Sequence, residues 1–468
     1  MTDKAVQISI TLTVEGHAYD FQEEIPLQAV EQTIKAMTQG ISQQLFLGVI
    51  QAVDQRYARS VPKGWRNVGT EERQVVTSLG AIRYRRRIYL DEAGQRRKPV
   101  DELLGVQRYE RMGGRVKETA AALASVGTYR QTAVQLSYLA HTPISPSTIQ
   151  RMIWALGNHI ANEEEAERQR IFTSGEQVAG GKITAPVLYG ESDGVWLHLQ
   201  REKRKSVEVR VGLMSTGRKP IGKDRFRLEN KHWITAIGVN SEAWQEQILR
   251  EAHLHYDLES THLLVCGGDG NQWVRHSFDR LQIRQEFVLD RFHLQRAARR
   301  AFQDHKVARQ AVEQLRQQGF QSVQPGLRVL IQQSQGKKRE KLEDFYRYVH
   351  HNQDGLLDLK YRGISQPACL GAIEGNVDKL VVHRMKGRGC CWRLPGARAM
   401  LAICRHAQQL AGHAYEYLPV FSGHTNPPIS SNLTVEYAEV LHASIPLFQG
   451  PDQNKPFAKR LHDYIYGR

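Results

Sequence analysis

The sequence predicts an α/β protein with a mixed β-sheet at its centre, and two observations lead to this fold class. Three β-rich segments, 187–199, 207–214 and 233–239, follow one another without a helical pattern between them, so we expect an antiparallel meander. Two apolar runs, 263–266 and 287–289, then alternate with helical stretches, which favours parallel strands. The predicted sheet therefore combines antiparallel and parallel strands.

The chain order of these elements predicts the type of core. Three antiparallel strands, then helix, strand, helix and strand, is the order of a ribonuclease-H-like fold. A helical region at about 293–359, rich in Arg, Gln and Lys, is expected to be an insertion into this core. Upstream, alternating apolar residues within 6–21 predict a hairpin, and the period becomes helical over about 27–57.

These patterns divide the chain into five predicted regions. They are an N-terminal hairpin and helix region (1–62), a basic β segment with a helix-turn-helix (63–160), the ribonuclease-H-like core (183–300 and 363–415), the helical insertion (301–362) and a C-terminal tail (416–468).

Charge restricts the class of partner. The chain has 64 Lys and Arg against 49 Asp and Glu, a formal net charge of +15, which is typical of a protein that binds a polyanion. Nucleic acid is the expected partner, although ribosome-associated and membrane-surface proteins are also basic. The sequence has no apolar stretch of membrane-spanning length and no signal-peptide core at its start, so we expect a cytoplasmic, nucleoid-associated bacterial protein without a membrane partner.

The five cysteines form no CxxC pair, which argues against a disulfide framework and a zinc ribbon. Cys390, Cys391, Cys404 and His406 can be imagined as a zinc site. Adjacent cysteines are awkward chelators, however, and core packing of reduced thiols is the favoured interpretation.

A basic strand is predicted upstream of the core. Arg83, Arg85 and Arg87 alternate with apolar residues, so they are expected on one face. Such a row suits a phosphate backbone, although a solvated sheet face is equally compatible with the pattern.

Two helical patterns, 129–140 and 149–156, follow this strand. Between them Ser145 is the expected N-cap and Pro146 the first helical residue. The pair predicts a helix-turn-helix whose second helix presents Ser147, Thr148 and Arg151 to a DNA groove. Helix pairs with a short turn also occur in many proteins that bind no DNA.

Two acidic residues are predicted at the core strands. Glu191 and Asp193 share one face of the first core strand, where a buried carboxylate is costly unless it is paired or binds metal. Asp269 follows the apolar run 263–266 between glycines, at the strand end where ligands gather in an open α/β sheet. The alternatives are an edge position for Asp193 and a plain glycine turn at Asp269.

The third candidate is Glu374. It borders a stripe of helical spacing formed by Leu370, Ile373, Val377 and Leu380. A carboxylate there can lean over the sheet, although a solvated glutamate remains an alternative. Gly371 and Gly375 weaken a helix by up to about 1 kcal/mol each, so we expect either a close packing contact or an irregular helix.

Three carboxylates suit phosphodiester chemistry. Mg²⁺ prefers oxygen ligands, and two such ions about 3.5–4 Å apart can activate the attacking oxygen and stabilise the leaving one. We therefore expect Asp193, Asp269 and Glu374 to bind two Mg²⁺ ions, for which Mn²⁺ can substitute.

Several segments, taken in order, resemble one known family. They are GWRNVGTEERQVVTSLGAIRYRRRIY, TYRQTAVQLS, GESDGVW, GGDGNQW, VLDRFHL, GAIEGNVDKLVVHRMKGRGCCW and HASIPL. Over most of its length the chain resembles the bacterial insertion-sequence transposases of the ISLre type. The resemblance implies that Asp193, Asp269 and Glu374 take the three catalytic positions of a DDE transposase. The implied activity is metal-dependent DNA cleavage and strand transfer, with the inverted repeats at the element ends and target DNA as double-stranded partners of a homo-oligomer.

Further residues are candidates for DNA contact. Asp290 to His293 resembles the D-x-x-H element of related transposases, so His293 can orient a carboxylate or contact a phosphate, unless it is a core histidine at a helix start. In the segment HRMKGRGCCW, basic side chains can hold phosphates and a tryptophan can stack on a base, although core packing is the commoner fate of Trp. These candidates are His383, Arg384, Lys386, Arg388 and Trp392.

Two other functions compete with an active transposase. One is a DNA-binding protein derived from a transposase that no longer turns over, and the other is a related ribonuclease-H-like nuclease. The presence of all three acids favours activity, and the helix-turn-helix pattern favours a protein that recognises specific DNA ends.

Overall fold

The computed structural model describes residues 27–411 except 224, 368 and 388. The hairpin predicted within 6–21 and the tail predicted from 416 therefore lie outside the described residues. The described chain is a mixed α/β fold, as predicted. No helix in its described ranges has both the length and the apolar character needed to cross a bilayer.

The chain begins with a long helix and a small sheet. Helix α1 (Leu27–Arg59) confirms the predicted helical period, and it is followed by β1 (Arg66–Thr77), β2 (Gly80–Leu90) and β3 (Arg96–Arg97) in one antiparallel sheet. This β segment begins at Arg66, where the first seven residues of β1 are exposed and mostly polar and pair with β2, so no apolar alternation marks its start in the sequence.

Four helices come next: α2 (Pro99–Leu103), α3 (Gly114–Val126), α4 (Tyr129–Leu139) and α5 (Pro146–Phe172). The predicted cap is confirmed, because the Ser145 side chain accepts a hydrogen bond from the Thr148 N–H and Pro146 is the first helical residue. Helix α5 continues well past the predicted end at 156, through a run of Glu, Ala and Arg that favours helix.

The middle of the chain, residues 183–289, forms the central sheet and the elements around it. Its elements are β4 (Ile183–Thr184), β5 (Val187–His198), β6 (Ser206–Ser215), β7 (Gly217–Gly222), β8 (Arg225–Glu229), β9 (His232–Ile237), α6 (Ser241–His255), β10 (Tyr256–Asp257), β11 (Leu263–Gly268), α7 (Gln272–Arg275) and β12 (Gln285–Leu289), with 3-10 turns at Leu258–Ser260 and Asp279–Leu281. Five strands lie in the order β12-β11-β5-β6-β9. The β5-β6-β9 meander is antiparallel, whereas β5, β11 and β12 are parallel, as predicted.

Two smaller pairings flank the central sheet. Strands β4 and β10 form a short parallel pair, and β7 with β8 forms a hairpin between β6 and β9. The sequence analysis did not predict this hairpin.

A group of helices separates β12 from the last part of the fold. Its members are α8 (Arg291–Phe302), α9 (His305–Gln318), α10 (Phe320–Gln333), α11 (Gly336–His351) and α12 (Gln353–Leu356), followed by a 3-10 turn at Leu359–Arg362. Apolar residues of these helices form a core of their own, which includes Leu294, Leu315 and Phe345. The prediction that this region is helical is confirmed.

The last described elements are α13 (Ile373–Val377), a π-helical segment (Asp378–Lys386) and α14 (Leu394–Ala411). The irregular form of the helix, one of the two expected alternatives, is present. Gly371 has a φ of +95° just before α13, and the helix widens into the π segment after Val377. A methyl group at Gly371 or Gly375 would meet open space, so a close contact does not explain either glycine.

The sheet is buried on both faces. On one face Val195 and Val209 pack in a core with Ile373 and Val377 of α13 and with α3, α5 and α14. On the other face Leu188, Met214 and Ile234 pack against Trp244 of α6. Because side chains alternate along a strand, Asp193 lies on the Val195 face, the face that α13 covers.

Candidate functional site

The pairing of the parallel strands brings two predicted acids to the same level of the sheet. Glu191 of β5 is opposite Gly267 of β11, and two residues further along each strand the chain reaches Asp193 and Asp269. Gly268 permits this approach, since a Cβ there would lie 2.1 Å from a Val274 methyl carbon and 3.1 Å from the Ser192 carbonyl oxygen. The glycine run before Asp269 is therefore required by packing and does more than form a turn.

A third acid lies at the end of the next strand. Leu289 of β12 is opposite Gly268, and the Asp290 N–H donates to the Gly268 carbonyl oxygen at 2.8 Å. Asp290 then caps α8, because its Oδ1 accepts from the His293 N–H at 2.9 Å and lies 3.1 Å from the His293 Nδ1. Asp269 and Asp290 thus directly follow two neighbouring parallel strands, and Asp193 lies within the third strand at the level of Asp269.

Glu374 lies on α13, which covers the face of the sheet that carries Val195. It is the second residue of α13 and is exposed, while its neighbours Ile373 and Val377 are buried against the core that includes Val195. This placement agrees with the predicted position at the border of an apolar stripe.

The charges of these side chains act on one another. Burial raises the pKa of Asp193 above its ordinary value, and the negative charges of Asp269 and Glu374 raise it further, while the Gly194 N–H and His293 act in the opposite direction. The hydrogen bond with Asp290 raises the pKa of His293, and the charges of Asp269 and Asp193 add to this effect. The three predicted carboxylates and His293 therefore share one electrostatic site.

Within the described residues, no three or more His, Cys, Asp or Glu side chains converge tightly enough to hold a metal ion. The carboxylates are close enough to repel one another without forming a closed ligand cluster. A positive ion placed among them would relieve the repulsion that raises the pKa of Asp193.

Glu191 links the strand of Asp193 to the segment of Glu374. Its side chain is buried, and its two carboxylate oxygens accept the Gly371 N–H at 2.6 Å and the Ala372 N–H at 3.1 Å. Burial raises the pKa of Glu191 to about 7 in spite of these bonds. The sequence analysis placed Glu191 on the Asp193 face but assigned it no role, because its partners lie about 180 residues away in the chain.

The helical insertion supports the loop of Asp269. The Tyr348 hydroxyl of α11 donates to the Asp269 carbonyl oxygen at 2.8 Å. Asn352, which is buried at the end of α11, accepts from Arg275 at 2.9 Å and lies against Gly270. These contacts were not foreseen, since Tyr348 and Asn352 belong to a helical region without a site motif.

The three arginines of the predicted basic strand have different environments. Arg85 is exposed, and Arg83 is exposed at 3.4 Å from Glu72 of the neighbouring strand. Arg87 is half-buried and forms an ion pair with Asp54 of α1. The three arginines of the predicted row therefore differ, because Arg87 already forms an ion pair with Asp54 within the fold.

The start of α5 presents two of the residues predicted to face DNA. Ser147 and Arg151 are exposed, and the Arg151 Nε donates to the Ser147 carbonyl oxygen at 3.4 Å. Thr148 is half-buried, and its hydroxyl is 3.0 Å from that of Ser145, within the cap. Arg151 is therefore more available than Thr148 to a partner.

Two predicted DNA contacts near the end of the core are corrected. Arg384 is buried, donates to the Ala124 carbonyl oxygen at 2.6 Å and packs against the rings of Tyr129 and Trp392. Trp392 is also buried, and its indole N–H donates to the Met385 carbonyl oxygen at 2.7 Å. Both side chains join elements of the core and are not accessible to DNA.

The other candidates of this segment have mixed outcomes. His383 and Lys386 are exposed, and Arg388 lies outside the described residues. Cys404 is buried, as expected for core packing, whereas Cys391 is exposed.

Comparison with known proteins gives a family match over most of the chain. Residues 21–415 match the model of a family described as "Uncharacterised protein family (UPF0236)". A protein of Streptococcus gallolyticus, named UPF0236 protein in vanSb 3'region, is 25% identical over 348 residues, which is 73% of this chain and 74% of the relative. A UPF0236 protein of Caldanaerobacter subterraneus subsp. tengcongensis is 21% identical over 377 residues, 79% of this chain and 75% of the relative, and its name joins several locus designations.

Proposed function

The chain belongs to the uncharacterised protein family UPF0236, and we propose that it is a DNA transposase with a ribonuclease-H-like catalytic core. In this proposal Asp193, Asp269 and Glu374 form the catalytic site. The observation that carries it is the strand register that brings Asp193 and Asp269 to one level of the sheet, with Glu374 close enough to affect the ionisation of Asp193.

The architecture of the sheet supports the proposed core. An antiparallel meander of three strands is extended by two parallel strands on the side of its first strand, which is the arrangement expected of a ribonuclease-H-like sheet. The helical insertion lies between the fifth strand and the helix of Glu374, where the sequence analysis expected it.

The donor set fits divalent metal ions that prefer oxygen ligands. Asp193, Asp269 and Glu374 would hold two Mg²⁺ ions, which when bound supply an activated attacking oxygen and stabilisation of the leaving oxygen. The observation behind this fit is that Asp193, whose pKa is raised mainly by burial, also lies close enough to Asp269 and Glu374 for their negative charges to raise that pKa further. Metal binding and proton release are expected to be coupled at this residue.

The residues of the chain have distinct roles in this site. Asp193 lies within β5 and Asp269 directly follows β11, so the pairing of these two strands, which ends at Glu191 and Gly267, limits how far the two acids can move apart. Asp290 fixes the ring of His293 from one side, the charges of Asp269 and Asp193 act on His293, and in this proposal His293 bonds to a phosphate oxygen of DNA.

Charge and the relatives support DNA as the substrate. The net charge of +15 suits a polyanion, and Arg85, Arg151 and Lys386 are exposed cations at predicted contact positions. Relatives whose names join several locus designations are compatible with genes present in more than one place in a genome, as expected of mobile elements. We infer that the partners are the ends of the element and target DNA, bound by a homo-oligomer.

A cleavage and joining assay tests the proposal. The substrate is a labelled duplex made from the DNA that flanks the gene, incubated with the full chain and Mg²⁺. Cleavage with joining to a second duplex supports a transposase. Cleavage without joining favours a nuclease, and binding without cleavage favours a protein derived from a transposase.

A further inference from the structure

The β7–β8 hairpin is exposed on both faces. Apart from residue 224, which is not described, every residue of 218–227 is exposed, and Ile221 and Phe226 are each 55% exposed. Only the base of the hairpin is covered, at Gly217, Leu228 and Glu229. A two-stranded ribbon without a buried face gains little stability from packing, so its surface is more readily explained by contact with another molecule.

The hairpin carries five basic side chains. Each is exposed, and in the described part of the chain none has an acidic side chain at ion-pair distance. They are Arg218, Lys219, Lys223, Arg225 and Arg227.

The strand register concentrates this charge on one face. Lys219 lies directly opposite Arg227, and Arg225 is two residues from Arg227 on the same side of its strand. Like charges opposite one another destabilise an antiparallel pair. The other face is less polar, with Pro220 opposite Phe226 and the Arg218 guanidinium 4.7 Å from the Phe226 ring. We refer to Lys219, Arg225 and Arg227 as the cationic face.

We propose that the cationic face binds the phosphate backbone of duplex DNA that is held at the carboxylate site. A polyanion would remove the repulsion between Lys219 and Arg227, and the major groove of B-DNA admits a two-stranded ribbon. The inference rests on the proposed function and deepens it, because it adds a DNA contact within the core that is separate from the predicted 63–160 region.

The position of the hairpin is compatible with this role. Its first strand follows Ser215, which is opposite Tyr189, four residues before Asp193 on β5. Lys219 is four residues beyond Ser215, so up to eight strand residues, about 26 Å, separate Lys219 from the level of Asp193. One turn of B-DNA is about 34 Å long, so one duplex can reach both the carboxylates and the hairpin.

The test is a binding measurement with the full chain and a labelled random-sequence duplex, in EDTA and over a range of salt concentrations. The Lys219→Gln/Arg227→Gln variant removes two charges that repel each other, so its midpoint of thermal unfolding should equal or exceed that of the unchanged protein. We expect its DNA affinity to fall about tenfold, and the slope of log affinity against log salt to decrease by about 2, because two phosphate contacts are lost.

A matched control removes the same charge elsewhere. Lys337 and Lys338 are exposed in the first turn of α11, and Tyr348, which contacts the Asp269 loop, is about 15 Å further along that helix. Lys337→Gln/Lys338→Gln should leave the salt slope nearly unchanged.

Each outcome decides a different statement. Wild-type affinity and slope in a folded hairpin variant would overturn the hairpin inference while leaving the proposed function intact. Salt-independent or absent DNA binding by the unchanged protein would count against the proposed function itself. Tighter, hairpin-dependent binding to duplex RNA than to duplex DNA would contradict DNA as the partner.

Discussion

The carboxylate of Glu191 accepts the backbone N–H of Gly371 at 2.6 Å and so ties the strand of Asp193 to the segment that leads into Glu374. The bond is partly buried and joins two parts of the chain that the helical insertion separates. The bond therefore fixes the start of the segment that carries Glu374, although Glu374 itself is exposed on a short and irregular helix.

Removal of this link should impair cleavage without impairing DNA binding. Glu191→Ala leaves the N–H groups of Gly371 and Ala372 without their acceptors, and because both bonds are partly buried the cost is below the roughly 1–3 kcal/mol of a fully buried orphaned group. We expect slower cleavage in Mg²⁺ and a smaller defect in Mn²⁺, which tolerates imperfect ligand geometry better. Cleavage rates with the two ions, measured on the same DNA, check this expectation.

Two further variants separate positioning from general destabilisation. Glu191→Gln keeps one acceptor oxygen and should recover part of the rate. Glu118→Gln changes another buried carboxylate, on α3, and should alter stability without changing the ratio of Mn²⁺ to Mg²⁺ rates. An equal ratio for Glu191→Ala and the unchanged protein would show that Glu191 does not position Glu374.

The third metal ligand can be identified by comparing two acids on neighbouring turns. Glu374 and Asp378 are both exposed, and besides burial, which raises the pKa of Asp193 most, the charge of Glu374 but not that of Asp378 contributes to the rise. We predict that Glu374→Gln abolishes cleavage and that Asp378→Asn retains it, with DNA binding unchanged in both. The reverse pattern, assayed in Mg²⁺ and in Mn²⁺, would assign the ligand to Asp378.

The arginines of β2 should differ in their effects. Arg85 is exposed, so Arg85→Gln should weaken binding to all DNA sequences and lower the salt slope by about 1. Arg87→Gln instead leaves Asp54 without its cation and should lower the midpoint of thermal unfolding. Salt titrations and thermal unfolding of both variants check this. A lower midpoint of thermal unfolding for Arg85→Gln, with loss of salt slope for Arg87→Gln, would contradict the prediction.

Stability should depend on pH through a half-buried pair of histidines, His232 and His255. Burial lowers the pKa of His255 to about 4, and the charge of His232, whose ring is stacked at 4.3 Å, lowers it further. The negative charge of Glu251 has the opposite effect. The unfolded chain binds this proton near the ordinary pKa of 6.5, so the contribution of neutral His255 is fully present above pH 6.5. It is lost progressively as the pH falls from 6.5 to about 4, because over this range the unfolded chain binds the proton and the folded chain does not.

The free energy of unfolding, measured in denaturant at about pH 7, 5.5 and 4.5, tests this dependence, since these values span the range in which His255 is expected to lose its contribution. His255→Phe keeps an aromatic ring beside His232 but cannot bind a proton, so its stability should vary less with pH. The same pH dependence in the variant and the unchanged protein would rule out His255 as its source.

Much of the core was predictable because its strands are short apolar runs with clear ends. The run 263–266 and the glycines after it located β11 and Asp269, and the helical stripe around Glu374 located α13. Alternation along β5 placed Asp193 on the same face as Glu191.

The errors arose where burial depends on distant parts of the chain. Arg384 and Trp392 are in a basic segment, but the Ala124 carbonyl that binds Arg384 lies 260 residues earlier, and no local pattern reports it. Arg87 has the same spacing as Arg83 and Arg85, but it forms an ion pair with Asp54 on α1, which the local sequence does not indicate. The β7–β8 hairpin has few apolar residues, so its strands lack the alternation by which the other strands were found.

Joining of a labelled DNA end to a second duplex, by the full chain with Mg²⁺, tests the central claim most directly. The account predicts cleaved and joined products from the unchanged protein and none from Asp193→Asn or Asp269→Asn, although both variants should bind the DNA. Each substitution preserves side-chain size and removes one negative charge from a proposed metal ligand. Joined products from a folded Asp193→Asn or Asp269→Asn variant, at the rate of the unchanged protein, would contradict the assignment of these carboxylates as the catalytic site.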